Sequence, residues 1–191
     1  MNYNNILSKL NRVSPSREGS LFNQLADVDA DTQTSFLEDK INIAMSSNNA
    51  SNLILETGTN KCHFSLFVKK CFNNINIVTF GKDTWSQNAV DILNHEFGNY
   101  IEFQLGDSQV TLSNYTPDHP IQFAWIDGGH AHPICMSDLI NCDRLEIPFI
   151  CVDDYNNLVN QPVDSFCNDY NYNLEEISTD PRGIAFLRRY E

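Results

Sequence analysis

Residues 123–139, FAWIDGGHAHPICMSDL, run from four apolar residues into an aspartate, two glycines and a histidine three places after the acid. A histidine has an ordinary pKa of about 6.5 and can take a proton near neutral pH. An aspartate beside it can hold a hard cation, which lowers the pKa of any hydroxyl it binds. A second acidic site, Asp153-Asp154, closes the apolar run PFICV, and Glu56-Thr57-Gly58-Thr59-Asn60 closes NLIL. Gly81-Lys82-Asp83 and Gly106-Asp107-Ser108 complete a set of polar turns that nearly all carry a carboxylate. Acids grouped in this way suit a ligand with hydroxyls and an amino group, or a divalent cation, better than a polyphosphate. No G-x-x-x-x-G-K-[ST] cradle is present. Each residue also has a plainer reading: Asp127 as a helix cap, Asp153-Asp154 as a solvated turn, and His130 as a satisfied turn residue with His132 its rival for the role of base.

The elements that must position these turns follow from periodicity. NLILETG (52–58), INIVTF (75–80), YIEFQL (100–105), QFAWID (122–127) and PFICVDD (148–154) read as strands. HFSLFVKKCF (63–72), TWSQNAVDILNHEF (84–97) and 131–145 read as the helices between them, with Trp85, Ala89, Ile92, Leu93 and Phe97 near one helical face. Alternation of strand, polar turn and helix gives an α/β doubly wound, mostly parallel sheet of seven strands. The last two strand-like runs, 170–179 and 182–190, are joined by a short turn at Asp180-Pro181 and form an antiparallel C-terminal edge. Residues 1–50 hold helical segments, notably SLFNQLADV and TSFLEDKINIAM, with no linker after them. The expectation is one domain over 1–191, with 1–50 as a helical cover. In such sheets ligands bind beyond the carboxyl ends of the strands, where the polar turns stand.

The chain has 191 residues, 12 basic against 25 acidic, for a net charge of −13. Its basic residues are scattered apart from Arg188-Arg189. That field repels phosphate backbones and anionic membranes, which leaves a small-molecule partner and no nucleic acid or membrane. No apolar run approaches the roughly 18 residues needed to span a bilayer, and no leader precedes the first helix, so a cytoplasmic location is expected. The six cysteines contain no C-x-x-C pair and read as reduced packing residues. Self-association is compatible with the sequence.

From about Leu53 to Arg189 the sequence resembles the class I S-adenosylmethionine-dependent methyltransferases, and among them the metal-dependent small-molecule O-methyltransferases of the catechol and macrolide-sugar type. ETGTNKC resembles their first motif, GDS (106–108) their adenine-contacting turn, WIDGGH and CVDDY their fourth and fifth strand ends, and RGIAFLRR their final strand. The resemblance implies a Rossmann-like methyltransferase fold with S-adenosylmethionine as cofactor. It implies cofactor contacts from Glu56, Gly58, Thr59, Asn60, Asp83, Asp107, Ser108 and Asp127, with Glu56 on the methionine amino group. It further implies Mg²⁺ on Asp127, Asp153 and Asp154, His130 as general base, and a small hydroxylated acceptor such as a sugar or polyol.

The chain departs from that pattern at defined positions. Cys62 stands where the first motif usually has its second glycine, and Phe64 where a serine is common, with Ser65 one place later. Gly81 stands where an acid usually bridges the ribose hydroxyls, and Asp83, two residues on, takes that role in this reading. LEIPF replaces a glycine pair before the fifth strand. These departures keep two other readings open: a methyltransferase-like binding or assembly module without catalysis, and a metal-free enzyme that relies on His130 alone.

Overall fold

The computed structural model describes residues 2–13, 32–47 and 51–190. Strands β1 (Leu53–Thr57), β2 (Asn76–Gly81), β3 (Ile101–Leu105), β4 (Phe123–Ile126), β5 (Phe149–Val152), β6 (Tyr172–Ile177) and β7 (Ala185–Arg189) form one sheet in the order β3-β2-β1-β4-β5-β7-β6. The first five are parallel, and β7 lies antiparallel between β5 and β6. The order reverses between β1 and β4, so the crevice where a ligand can enter opens above those two strands.

FAWI and FICV are buried at every position because helices cover both faces of the central strands. On one face Ile54, Ile77, Phe123, Trp125, Cys151 and Phe186 pack under helices α1 (Tyr3–Val13), α2 (Thr32–Met45), α3 (His63–Cys71) and α4 (Thr84–Phe97). On the other, Leu55, Val78, Ala124, Ile150 and Leu187 pack under α6 (His132–Arg144) and α7 (Asn160–Asp169). A four-residue helix, α5 (Ser108–Thr111), follows β3. Lys69 and Lys70 close the last turn of α3, and Pro133 opens α6, each placed where the backbone of a helix end favours it.

The N-terminal helices share this core. Leu10 of α1 and Leu37 and Ile41 of α2 are fully buried, and Lys40 reaches Asp39 and Glu176 while lying over the rings of Phe36 and Phe186. SLFNQLADV lies outside the described residues. In α4 the inward face is Ser86, Ala89, Val90 and Leu93, whereas Trp85 is only half-buried. The pattern left 155–169 unassigned, and the structure makes it a π-helical turn (Tyr155–Val159) followed by α7. Only Pro162, Val163 and Phe166 of α7 are buried, too few apolar positions to show a helical period.

Leu10→Ala and Ile41→Ala should each lower stability by about 2–5 kcal/mol, as expected for emptying a filled core position. Urea denaturation followed by circular dichroism measures the loss; a change near zero for both would mean that these helices do not stabilise the sheet.

Candidate active site

The turn after β1 is built on backbone approach. Gly58 has φ +90°, and a Cβ there would lie 2.0 Å from the carbonyl oxygen of Asp127, so the tips of β1 and β4 touch through bare backbone. The N–H groups of Gly58 and Thr59 both donate to the carbonyl of Phe80, at 2.9 and 3.3 Å. Cys62, at the family's glycine position, keeps the left-handed backbone that glycine would adopt, with φ 57°. That conformation costs a side-chain-bearing residue roughly 1–2 kcal/mol. It is held by a 2.7 Å bond from the Cys62 N–H to the Thr59 carbonyl. The missing glycine is therefore replaced in sequence but not in shape.

Glu56 lies beneath this turn and is 2 % exposed. Ser65 Oγ donates to its Oε2 at 2.8 Å, so the serine one place late reaches the acid, while Phe64 stacks on Trp125 with ring centroids 5.5 Å apart. Burial pushes the Glu56 carboxyl up to about 8, with the Ser65 and Thr79 hydroxyls working against the shift and Asp127 adding to it. The amide oxygen of Asn60 is buried without a hydrogen-bond partner.

At the end of β2, Gly81 is explained by its neighbours. A Cβ there would meet the Thr59 Oγ1 at 2.7 Å and its Cβ at 2.9 Å, with the Phe103 ring at 3.3 Å. Thr59, bonded to Thr79 across 2.8 Å, fills the space an acid would need. Asp83 stands at the N-cap of α4 but makes no capping hydrogen bond with its side chain. Asp107 caps α5, accepting from the Gln109 N–H at 3.0 Å. Asp138 of α6 is fully buried below Gly128, and burial pushes it up to about 6 although the nearby Ser108 and Thr57 hydroxyls lower it.

The ends of β4 and β5 bring the remaining candidates together. His130 Nε2 lies 3.4 Å from Asp154 Oδ2 and 3.7 Å from Asp127 Oδ1, distances of ion pairing. Asp127 is the main cause of a His130 pKa raised above the ordinary value, with burial opposing it and Asp154 and Asp153 adding to it. His132 is exposed on the first turn of α6. Neither Gly128 nor Gly129 has a positive φ; both are needed for room. A Cβ on Gly128 would press on Thr57 and Asp138, and one on Gly129 on Ile134 at 2.7 Å.

Arg182, which the sequence did not single out, lies 3.5 Å from Asp153 Oδ2 and 3.9 Å from Asp154 Oδ1. Burial pushes Asp153 up to about 7, Asp127 adds to the shift and Arg182 opposes it. Asp127, Asp153 and Asp154 thus converge, but around His130 and Arg182. Among the described residues no group of three His, Cys, Asp or Glu side chains is placed to hold a metal ion. The structure therefore gives no support to the Mg²⁺ that the resemblance implies. The signal for Arg182 was topological: an antiparallel β7 beside β5 pairs Ala185 with Val152, so the residues just before β7 land at the acidic ends of the parallel strands.

No protein-family model matches the sequence, and no curated protein does. Solved structures match along the whole chain. An O-methyltransferase from Bacillus cereus in complex with SAH superposes at TM-score 0.70 with 16 % identity, covering 98 % of this chain and 90 % of that one. SAH-bound Podospora anserina methyltransferase PaMTH1 gives 0.66 at 10 %, over 97 % and 88 %. TomG, an O-methyltransferase of Streptomyces achromogenes involved in tomaymycin synthesis and bound to SAM, gives 0.64 at 15 %, over 97 % and 90 %. The chain has the Rossmann-like fold of class I methyltransferases. At such identities the likeness carries the fold, and the chemistry must come from the residues. No helix among the described residues is long and apolar enough to cross a membrane.

Glu56 and Asp138 titrate in the folded protein near 8 and 6, against unfolded values of about 4.3 and 3.9. Between those limits the native state holds more protons than the unfolded one, so stability falls as pH rises from about 4 to about 8. Urea midpoints measured from pH 5 to 8 should decline, and Glu56→Gln should flatten the upper part of that decline. An unchanged slope in the variant would show that Glu56 is ionised throughout.

Proposed function

We propose that the protein is an S-adenosylmethionine-dependent O-methyltransferase acting on a small hydroxylated molecule. The observation that carries this reading is His130 held between Asp127 and Asp154, next to the backbone contact of Gly58 with Asp127. The fold supports it, since similar structures hold SAH or SAM. Bound S-adenosylmethionine supplies a methyl group already activated by a sulfonium sulfur.

The residues present fit that cofactor. Gly58 lets the turn after β1 close onto the Asp127 carbonyl, and the orphaned Asn60 oxygen is an acceptor that an amino or hydroxyl group satisfies. Of the two acids near the turn, Asp127 keeps 26 % of its side chain exposed while Glu56 is sealed. Asp127 therefore receives the methionine ammonium, and Glu56 holds the turn from below through Ser65. Thr59 lines the turn. Asp83, free of capping duty, is the carboxylate for the ribose hydroxyls. Asp107 and Ser108 border the adenine, with one Asp107 oxygen committed to α5.

His130 performs the proton chemistry. With its proton on Nε2, the nitrogen nearest the carboxylates, the ring keeps its Nδ1 lone pair to accept the acceptor's hydroxyl proton as that oxygen bonds to the methyl carbon. The C–S bond breaks with its electron pair going to sulfur. The imidazolium formed is stabilised by Asp127 and Asp154, as a paired carboxylate does for a histidine base. No step passes through a divalent metal.

Calorimetry should show saturable binding of S-adenosylhomocysteine, weakened by Asp83→Asn with an unchanged circular dichroism spectrum. No binding at millimolar ligand would favour the module without catalysis. With a panel of small phenols and sugars as acceptors, methyl transfer should rise with pH through a midpoint above about 6.5, because the base must be neutral and its pKa is raised. His130→Ala should lower kcat about 10²–10⁴-fold, abolish that limb and leave S-adenosylhomocysteine affinity intact. A pH limb that persists in the variant would remove His130 from the mechanism.

A further inference from the structure

We infer that Arg182 is the resident cation of the Asp127-Asp153-Asp154 cluster and stands in for a divalent metal, so that the site is complete without one. Carboxylates brought together out of water repel one another and are relieved by a compensating positive charge, which the resemblance assigns to Mg²⁺. The structure assigns it to the protein. The guanidinium approaches Asp153 through Nη1 and Asp154 through Nε, and both acids are buried. A guanidinium is charged at every physiological pH and presents several donors in one plane, which suits two acids arriving from adjacent positions.

The arginine is built into place. Its Nη2 donates to Gln33 Oε1 of α2 at 2.8 Å, and Gln33 is buried. Asp180 accepts from the Arg182 and Gly183 N–H groups at 3.1 Å each, and its side chain also receives the Ser178 hydroxyl. The carbonyls of Arg182 and Gly183 accept from Asn156 and Tyr155 at 2.8 and 2.9 Å, which pins this loop to the turn that follows Asp154. Gly183 has φ +75°, and a Cβ on it would lie 2.4 Å from the Asn156 side chain, so the close contact of the two loops depends on glycine. A residue whose backbone is held by Asp180 and Asn156 and whose guanidinium is held by Gln33 is a positioned group rather than a surface charge that happens to be near. Its side chain keeps 42 % of its surface exposed, so it is open to solvent as well as to the acids.

The inference deepens the proposed function, yet its test needs no methyl transfer, so the two can fail separately. Thermal unfolding of the wild-type protein should be unmoved by millimolar Mg²⁺ or Mn²⁺ and by a chelator. Arg182→Ala should unfold at lower temperature and should now be stabilised by either ion, because the vacated carboxylates can bind it. That stabilisation should disappear when Asp154→Asn is added, and Arg182→Lys, which keeps a charge, should remain metal-insensitive. Stabilisation of the wild type by Mg²⁺ or Mn²⁺, lost in Asp127→Asn, would overturn the inference. So would an Arg182→Ala protein as stable as the wild type and indifferent to metal. If Arg182→Ala does not fold, calorimetric titration of the wild type and of Gln33→Ala with Mn²⁺ decides: tighter Mn²⁺ binding once the guanidinium loses its Gln33 anchor supports the assignment, and equal binding by both overturns it.

Discussion

Ionised carboxylates crowded into a low-dielectric site repel one another, and the carboxyl end of this sheet gathers five acids: Glu56, Asp127, Asp138, Asp153 and Asp154. Three devices compensate them. Glu56 and Asp138 are held toward the neutral form by burial and given hydroxyl neighbours. Asp127 and Asp154 share His130, and Asp153 and Asp154 share Arg182. The outcome is a graded site, with acids among hydroxyls beneath the β1 turn and acids paired with His130 or Arg182 at the ends of β4 and β5, and only the latter side carries a base.

That grading rests on strand order. β1 and β4 are neighbours with a Thr57–Ile126 register, so Gly58 and Asp127 meet one residue beyond it. β5 aligns Val152 with Ile126, which carries Asp153 and Asp154 up beside Asp127 and His130. β7 then enters in the opposite sense and delivers its preceding loop to the same edge. A parallel β7 would have brought Arg189 there and left Arg182 at the far end of the sheet. The single antiparallel strand therefore decides which basic residue serves the acids.

The substitutions that set this chain apart from its resemblance are compensated locally. Cys62 adopts a glycine's backbone conformation, Ser65 recovers the contact that Phe64 cannot make, and Thr59 occupies the space above Gly81. In each case the residue type changed while the backbone path stayed, because that path is fixed by ladder hydrogen bonds and by the contact of Gly58 with Asp127. The proposed ribose contact moves outward to Asp83 for the same reason.

The layered architecture was legible in the sequence because it depends on local periodicity. TWSQNAVDILNHEF forms α4 over the same residues that the pattern gives, and the five apolar runs become strands within a residue or two of their expected ends. The polar turns were legible as well, since a polar turn closing a buried strand is a local signal. Helix α7 was not, because three buried positions are too few to establish a period. Roles within the site needed the tertiary structure. Glu56 and Asp127 both follow apolar strands, and only burial separates the sealed acid from the open one. His130 and His132 are two residues apart, and only the direction of the chain after Gly129 turns one toward the acids. Asp154 and Arg182 are 28 positions apart, and nothing local joins them. A charge is compensated by what is near it in space, and nearness in space is fixed by strand order and register, which no stretch of this sequence contains by itself.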